Sequence, residues 1–176
     1  MRTNGQQGFT LVELLIVVAI VSIVSAIAVP GLLRARMTSN ESSAVASLRA
    51  TTSAQVSFSA ACGNGGYAPS YVVLGTPPAG GQAYLSSDLA GVAAPRKAGY
   101  DFTMTPGLAG NGGPADCLGN AATAAGFYAT AGPSAIGVVG TRGFAVNAVM
   151  TIWQDSTGIP PAENAFAVAG TISFVE

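Results

Sequence analysis

Few side chains in this sequence of 176 residues could carry out chemistry, and their types exclude most kinds of catalysis. There is no histidine, which excludes histidine-based acid–base catalysis and the usual histidine-containing zinc sites. Lys97 is the one lysine, and the chain has neither a Gly-x-Ser-x-Gly nucleophile motif nor a Walker phosphate-binding loop. We therefore expect a protein that is not an enzyme and that uses no cofactor.

The acidic residues offer one candidate for metal binding. A turn of sequence Asp155-Ser156-Thr157-Gly158 is followed by Glu163. Carboxylate oxygens are typical calcium ligands, but the spacing matches no established calcium-binding loop. A turn exposed to solvent is the simpler interpretation, and we predict no metal site.

Charge is scarce along the chain and is balanced in sign. Seven Lys/Arg and eight Asp/Glu make up 9% of the residues, against roughly 25% in a typical soluble domain. The near balance gives no support for a basic nucleic-acid-binding face. Disorder is also disfavoured, because disordered chains combine low hydrophobicity with high net charge. The protein is therefore partly embedded in a membrane, or is a globule with few surface charges.

Residues 14–33 form an uncharged, largely apolar stretch. As a helix it would span about 30 Å, the thickness of the hydrocarbon core of a bilayer. The stretch has no polar face, which argues against an amphipathic surface helix. Glu13 directly precedes it. A carboxylate within a membrane segment costs about 2.5–3.5 kcal/mol on insertion scales, so Glu13 is a candidate functional residue.

Two ordinary interpretations of this stretch remain open at this point. Ala26-Ile27-Ala28 is a small-x-small pattern of the kind that follows the core of a cleaved secretory signal. The stretch would also serve as a plain membrane anchor. Either interpretation leads to a secreted or membrane-tethered binding domain, and cleavage after Ala28 would leave Val29 as its first residue.

The residues around Glu13 resemble the N-terminal signature of type IV prepilins and type II secretion pseudopilins. The shared core is Gly8-Phe9-Thr10-Leu11-Val12-Glu13. In that family a dedicated peptidase on the cytoplasmic face cuts after the glycine, and the new N-terminal residue is then methylated. The resemblance implies a leader peptide of residues 1–8, cleavage between Gly8 and Phe9, and N-methylation of Phe9.

The resemblance also implies roles in assembly for Glu13 and Pro30. The family's glutamate is thought to pair with the N-terminal amine of a neighbouring subunit in the filament, and setting register is a well-attested use of buried polar groups. Pro30 removes a helical hydrogen bond and clashes with the preceding turn, so it predicts a kink or local unwinding. In the family, a proline at this place marks a segment that melts on assembly, and a static kink is the alternative.

Beyond the apolar stretch the helix is predicted to continue, because residues 34–58 contain no glycine or proline. Residues at helical spacing define one face: Met37, Glu41, Ala44, Val45, Leu48, Thr52 and Val56. We assign residues 9–33 to a transmembrane and assembly helix and residues 34–61 to its C-terminal half. Residues 62–176 then form a glycine-rich head domain.

The head domain is predicted to contain short strands separated by loops rich in Gly, Pro and Asn. The strand candidates are 100–105, 127–130, 143–148, 151–154 and 171–175. An antiparallel sheet with one apolar face would cover the narrow apolar stripe of the helix. The fold class is therefore α+β, a long N-terminal helix packed on a small antiparallel sheet, which is a pilin-like arrangement. The core candidates are Tyr67, Tyr71, Leu74, Leu85, Phe102, Met104, Phe127, Phe144 and Trp153.

The two cysteines, Cys62 and Cys117, are a candidate disulfide. If the head domain lies outside the cytoplasm, oxidation is permitted. The chain-entropy model gives roughly 4 kcal/mol for a loop of about 55 residues. Two free, buried thiols are the alternative.

Taken together, these inferences predict a structural subunit of a type IV pilus, with a major pseudopilin-like subunit of a type II secretion system as the alternative. The implied partners are identical subunits in a helical filament, prepilin peptidase/methylase, an assembly ATPase, an inner-membrane platform protein and, before assembly, membrane lipid. The protein would lie in the cytoplasmic membrane as a single-pass prepilin and then in an extracellular pilus or a periplasmic pseudopilus. No direct nucleic-acid site is expected.

Overall fold

The computed structural model describes residues 9–110, 112–120 and 123–175. One long helix, α1, precedes a domain with two short helices, one 3₁₀ turn and a six-stranded sheet. The helices are α1 (Leu11–Ala61), α2 (Tyr71–Gly75) and α3 (Ser87–Ala90). The strands are β1 (Arg96–Lys97), β2 (Tyr100–Pro106), β3 (Phe127–Pro133), β4 (Gly143–Asn147), β5 (Ile152–Asp155) and β6 (Ile172–Phe174), with the 3₁₀ turn at Glu163–Ala165. The predicted α+β class is confirmed.

The chain divides into two compact units, Met1–Arg36 and Met37–Glu176. In the first unit the described residues are helical from Leu11 onward, and their side chains are exposed. The second unit contains the remainder of α1 together with the sheet and the short helices, and we call it the head unit.

The sheet is an antiparallel meander, in which each strand pairs with the next one along the chain. Alternation of side chains explains why these segments form strands: Tyr100, Phe102 and Met104 of β2 are buried, while the residues between them face outward. The predicted strands are all present within a few residues of their expected bounds. Strand β1 was not among the strand candidates, and it has only two residues, Arg96 and Lys97.

The C-terminal half of α1 packs on the inner face of the sheet and contributes to a single core. Its buried residues are Glu41, Ala44, Ser47, Leu48, Thr51, Ala54, Gln55 and Phe58. The predicted face is correct at Glu41, Ala44 and Leu48. It is wrong at the C-terminal end of the helix, where Thr51 and Gln55 replace Thr52 and Val56.

Gln55 is buried in place of Val56 because its amide forms hydrogen bonds with the backbone of Ala68. Gln55 Nε2 donates to the Ala68 carbonyl at 2.8 Å, and the Ala68 N–H donates to Gln55 Oε1 at 2.9 Å. A buried amide with both ends hydrogen-bonded escapes most of the desolvation penalty. Val56 is 49% exposed instead.

Two of the core candidates are not fully buried. Trp153 lies half-buried on the outer face of the sheet, because the alternation of β5 points Ile152 inward. There its ring stacks on Phe166, with 5.6 Å between the ring centroids. Tyr67 is also half-buried and packs against the ring of Phe127. The other core candidates are buried as predicted.

Candidate functional site

Helix α1 begins immediately after Thr10, and the side chain of Thr10 caps it. The Oγ1 atom of Thr10 accepts a hydrogen bond from the backbone N–H of Glu13 at 3.2 Å. This is the N-cap arrangement, which satisfies one of the free N–H groups at a helix start. Glu13 occupies the third helical position, where a carboxylate is favoured by the positive end of the helix dipole. The residues of the prepilin-like motif therefore also encode the start of the helix.

The residues expected to take part in processing and assembly are accessible where the structure describes them. Phe9 is 82% exposed and precedes the helix. The side chain of Glu13 is exposed, and within residues 9–110, 112–120 and 123–175 no cation pairs with its carboxylate. Gly8, the other residue of the expected cleavage site, lies outside the described residues. With respect to the described residues, the carboxylate of Glu13 is therefore available to a partner outside the chain.

The helix surface after Glu13 is apolar and uncovered. Every large aliphatic side chain from Leu14 to Leu33 is about half exposed or more. By length and composition α1 could cross a membrane, although a signal sequence near an N-terminus satisfies the same criterion. Exposed apolar surface costs about 25 cal/mol per Å² in water, so this helix surface requires lipid or protein around it.

Pro30 lies inside α1, and the helix continues through it to Ala61. The local unwinding that the sequence suggested is therefore not present in this structure. Pro30 cannot donate a helical hydrogen bond, and Gly31 after it has a low helix propensity. By intrinsic propensity, these two residues are the weakest point of the helix.

In the head unit, a buried ion pair joins α1 to the loop before β4. Glu41 has a side chain that is only 7% exposed, and its Oε2 accepts hydrogen bonds from Arg142 Nε at 2.9 Å and from Nη2 at 2.7 Å. Its Oε1 accepts hydrogen bonds from the backbone N–H groups of Thr141 and Arg142 at 2.8 and 3.2 Å. Arg142 Nη1 in turn donates to Gln154 of β5 at 2.8 Å. We call Glu41 and Arg142 the helix–loop clamp.

The clamp sets the ionisation of Glu41. Burial by itself raises the pKa of Glu41, but the hydrogen bonds from Thr141 and Arg142, together with the charge of Arg142, lower that pKa by more. The net pKa of Glu41 lies below its ordinary value, so the carboxylate is charged at neutral pH and holds Arg142 in place.

A second link, which is covalent, lies at the opposite end of the buried half of α1. Cys62 and Cys117 form a disulfide, with their Cα atoms 4.9 Å apart. The backbone supports it, because the Cys117 N–H donates to the Cys62 carbonyl at 2.9 Å and Asn64 Nδ2 donates to the Ala115 carbonyl at 2.8 Å. The disulfide therefore fastens the loop before β3 to the end of the helix.

The two acidic candidates for calcium binding, Asp155 and Glu163, accept hydrogen bonds from other groups of the head unit instead. Asp155 accepts a hydrogen bond from the Thr157 N–H at 2.8 Å, as a turn residue does. Glu163 accepts hydrogen bonds from the Leu108 N–H at 2.8 Å and from Asn147 Nδ2 at 3.3 Å. In the part of the chain that the structure describes, no group of three or more Asp, Glu, His or Cys side chains could hold a metal ion.

Arg142 is the residue of this site that the sequence did not reveal. Glu41 was placed on the buried face of α1, which required a partner for its carboxylate. That partner lies 101 residues further along the chain, in a loop with no motif. The scarcity of charge was the one signal that could have identified Arg142. An isolated arginine in an uncharged segment rich in Gly, Ala and Val is a natural partner for a buried carboxylate.

A capped Phe-Thr-Leu-Val-Glu start therefore leads directly into an exposed apolar helix. Residues 3–29 match the family described as the prokaryotic N-terminal methylation motif. The chain is also 48% identical over 52 residues to the type IV major pilin protein PilA of Myxococcus xanthus (strain DK1622). That alignment covers 30% of this chain and 24% of the relative, so the chain matches about a quarter of that protein's length.

These two matches support a type IV pilin-family assignment, and residues 3–29 carry a prepilin-type methylation motif. No solved structure matches the chain. The family model matches residues 3–29, and the head unit lies outside that match.

Proposed function

We propose that the chain is a subunit of a type IV pilus. In this proposal, prepilin peptidase cleaves the Gly8–Phe9 bond, Phe9 is N-methylated, and the apolar part of α1 polymerises with identical copies. The observation that carries the proposal is Glu13, an exposed carboxylate within the prepilin motif that directly precedes the uncovered apolar stretch of α1.

Cleavage after Gly8 differs from the cleavage of a secretory signal in the residues that are kept. A secretory signal is cut behind its apolar core, which is then lost. Cleavage after Gly8 keeps the core, and the new α-amine of Phe9 lies one helical turn from Glu13. An ammonium group and a carboxylate in low dielectric are costly alone and attract each other as a pair. Pairing between copies would therefore favour the register in which Glu13 of one subunit meets Phe9 of the next.

Pairing between Glu13 of one copy and Phe9 of the next would produce a helical polymer. A contact between different surfaces of identical subunits, repeated without closing, generates a helical filament. The apolar helices would form the filament centre, where they are covered by each other instead of by lipid, and the head units would lie outside. The sparse charge of the chain supports close packing, since fewer charges need to be desolvated.

A pseudopilus of a type II secretion system is the alternative within the same family. The M. xanthus relative is a type IV major pilin protein, which favours the pilus. Surface filaments that disappear when the gene is deleted would support the pilus. If wild-type cells carry no such filaments and the deletion instead blocks the secretion of proteins from the periplasm, the pseudopilus would be supported.

The proposed partners and location follow from this function. They are identical subunits, prepilin peptidase/methylase, an assembly ATPase and an inner-membrane platform protein. The chain would be a single-pass protein of the cytoplasmic membrane and then an extracellular fimbrium.

The direct test of assembly is a Glu13→Ala variant compared with wild type in a cell that processes the protein. We expect cleavage at Gly8–Phe9 to continue and filament yield in electron micrographs to fall severely. Glu13→Gln separates charge from shape, because the amide keeps the size of the side chain and loses the negative charge. Asp101→Asn, which removes an exposed head carboxylate paired with Arg96, is the control and should assemble normally. Wild-type filament yield from Glu13→Ala would contradict the proposed role.

A further inference from the structure

The charges of the head unit are nearly all paired with one another. Three of its four cationic side chains lie within salt-bridge distance of a carboxylate, in the pairs Arg96–Asp101, Lys97–Asp88 and Arg142–Glu41. Arg49, on α1, is the fourth. It is exposed, and no carboxylate among the described residues of the chain pairs with it. The head unit therefore carries one cation that is free to bind an acidic group from outside.

Arg49 lines a cleft between α1 and the beginning of β5. The cleft has a volume of about 420 Å³; Thr52 and Ser53 line it from the helix side, and Met150 and Ile152 line it from the sheet side. All the residues that line it, apart from Arg49, are uncharged. A guanidinium group binds a carboxylate through two parallel hydrogen bonds, and one carboxylate neutralises its charge. The cleft therefore fits a side chain that ends in a single carboxylate.

The outer face of the sheet carries the complementary charge. Gln154 of β5 points to the side of α1, where it accepts a hydrogen bond from Arg142, so the alternation of the strand points Asp155 to the opposite face. A hydrogen bond from the Thr157 N–H at 2.8 Å lowers the pKa of Asp155, which keeps its carboxylate charged at neutral pH. No cation among the described residues pairs with it. Arg49 and Asp155 are thus opposite charges on opposite faces of one head unit.

The other described carboxylates of the head unit that lack a cation are engaged within their own chain. Both oxygens of Glu163 accept hydrogen bonds, from the Leu108 N–H at 2.8 Å and from Asn147 Nδ2 at 3.3 Å. Asp116 is only 9% exposed and accepts hydrogen bonds from backbone N–H groups of its own loop. Asp155 instead lies on a regular strand and faces away from the core, so it is the acid best placed to meet a cation from outside the chain.

Identical copies with this arrangement of charge attract each other in one orientation. Contact between two like faces would bring Arg49 against Arg49, or Asp155 against Asp155, and like charges repel. Contact between the helix side of one copy and the outer face of the next brings Arg49 against Asp155. Such a contact joins different surfaces and can repeat without closing, which is the property that a filament requires. An acidic side chain of a second copy is therefore the occupant of the cleft that the charges favour.

We propose that Arg49 of one head unit binds Asp155 of a second copy, with the carboxylate seated in the cleft beside α1. This inference rests on the proposed function, because polymerisation through α1 is what brings the copies together. An exposed ion pair contributes little binding free energy alone, and its role is to select the orientation in which neighbouring head units meet. The pair is separate from the one proposed between Glu13 and Phe9, since it joins head units only.

The scarcity of lysine allows a direct test in isolated filaments. Lys97 is the one lysine of the chain, and it pairs with Asp88 of its own chain. Arg49→Lys keeps the positive charge and adds an amine, which a water-soluble carbodiimide joins to a contacting carboxylate as an amide, with loss of water. We expect treated Arg49→Lys filaments to give a covalent dimer and longer ladder on denaturing gels. Mass spectrometry of the dimer should show position 49 of one chain linked to Asp155 of another.

Arg96→Lys is the matched control, because Arg96 is an exposed arginine whose carboxylate partner, Asp101, lies in the same chain. It should give a link within the chain and no more dimer than wild type. Adding Asp155→Asn to Arg49→Lys should remove the dimer. A link from position 49 to any other carboxylate, including Glu176, or no link in filaments that assemble normally, would overturn the inference and leave the proposed function intact. Wild-type cells that make no filaments would contradict the proposed function, and this inference with it.

Should Arg49→Lys prevent assembly, an exchange of the two charges decides. Arg49→Asp and Asp155→Arg should each lower the filament yield in electron micrographs several-fold, while each variant keeps the wild-type circular dichroism spectrum in detergent. The double variant restores opposite charges at the contact and should recover most of the wild-type yield. A double variant that assembles no better than either single variant would overturn the ion pair.

Discussion

Glu41 of α1 and Arg142 of the loop before β4 are 101 residues apart in sequence and are joined by two hydrogen bonds, at 2.9 and 2.7 Å, to a single carboxylate oxygen. Glu41 is buried near the beginning of the helix segment that packs on the sheet, and the Cys62–Cys117 disulfide lies just beyond its end. Sheet and helix are thus fastened at both ends of their contact. If the apolar part of α1 is held in a filament, load on the head unit passes through this contact.

Removal of the Glu41 side chain should destabilise the head unit strongly. Breaking a buried ion pair costs about 3–5 kcal/mol, and we expect about 2–3 kcal/mol for Glu41→Ala because Arg142 is 39% exposed and partly screened by water. The measurement is denaturant unfolding of the detergent-solubilised chain, followed by circular dichroism.

The exposed pair of Arg96 and Asp101 provides the control for that measurement. Its side chains are 65% and 45% exposed, so Asp101→Ala should change stability far less than Glu41→Ala. Equal effects of the two substitutions would show that the clamp is no more than a surface ion pair.

The lowered pKa of Glu41 predicts a defined loss of stability in acid. Burial raises this pKa, and hydrogen bonds from Thr141 and Arg142 lower it by more. A carboxyl whose pKa is lower in the folded state stabilises the fold fully above its unfolded pKa of about 4.3, and this contribution disappears as the pH falls through the folded pKa. Wild type should therefore lose more unfolding free energy than Glu41→Gln between neutral pH and pH values below about 4.

Comparing wild type with Glu41→Gln isolates the contribution of Glu41 to the pH dependence of stability. Asp88 and Asp155 also have lowered pKa values, but they are present in both chains, so their contributions cancel. The stability difference between wild type and Glu41→Gln should shrink as the solution is acidified. A constant difference over the whole range would contradict the assigned ionisation of Glu41.

Loss of the Cys62–Cys117 disulfide should lower the unfolding free energy by about 4 kcal/mol, the chain-entropy value for its loop. The double variant Cys62→Ser, Cys117→Ser should melt at a lower temperature than the oxidised wild type. A reducing agent should lower the melting temperature of the wild type and leave that of the double variant unchanged. Insensitivity of the wild type to reductant would indicate that the bond contributes little.

Residue patterns predicted the elements of this fold better than the contacts between them. The alternation of Tyr100, Phe102 and Met104 placed β2 within one residue of its observed end, because a strand with one buried face repeats every second residue. The N-terminal helix was assigned from residue 9, whereas α1 begins at Leu11 because Thr10 acts as its N-cap.

Features that depend on distant partners could not be predicted in this way. Thr51 and Gln55 face the core although they are polar, because Tyr71 and Ala68 provide hydrogen bonds that no local pattern reveals. Trp153 was expected in the core. Side chains alternate along β5, however, and because Ile152 points inward, Trp153 points outward. The partnership of Glu41 with Arg142 belongs to the same class, since it joins positions that only the folded chain brings together.

The most direct test of the central claim is mass spectrometry of the N-terminal peptide of the protein isolated from cells. The account predicts that the chain begins at Phe9 and that its α-amine carries one methyl group. A chain that begins at Val29, or one that retains residues 1–8, would contradict it.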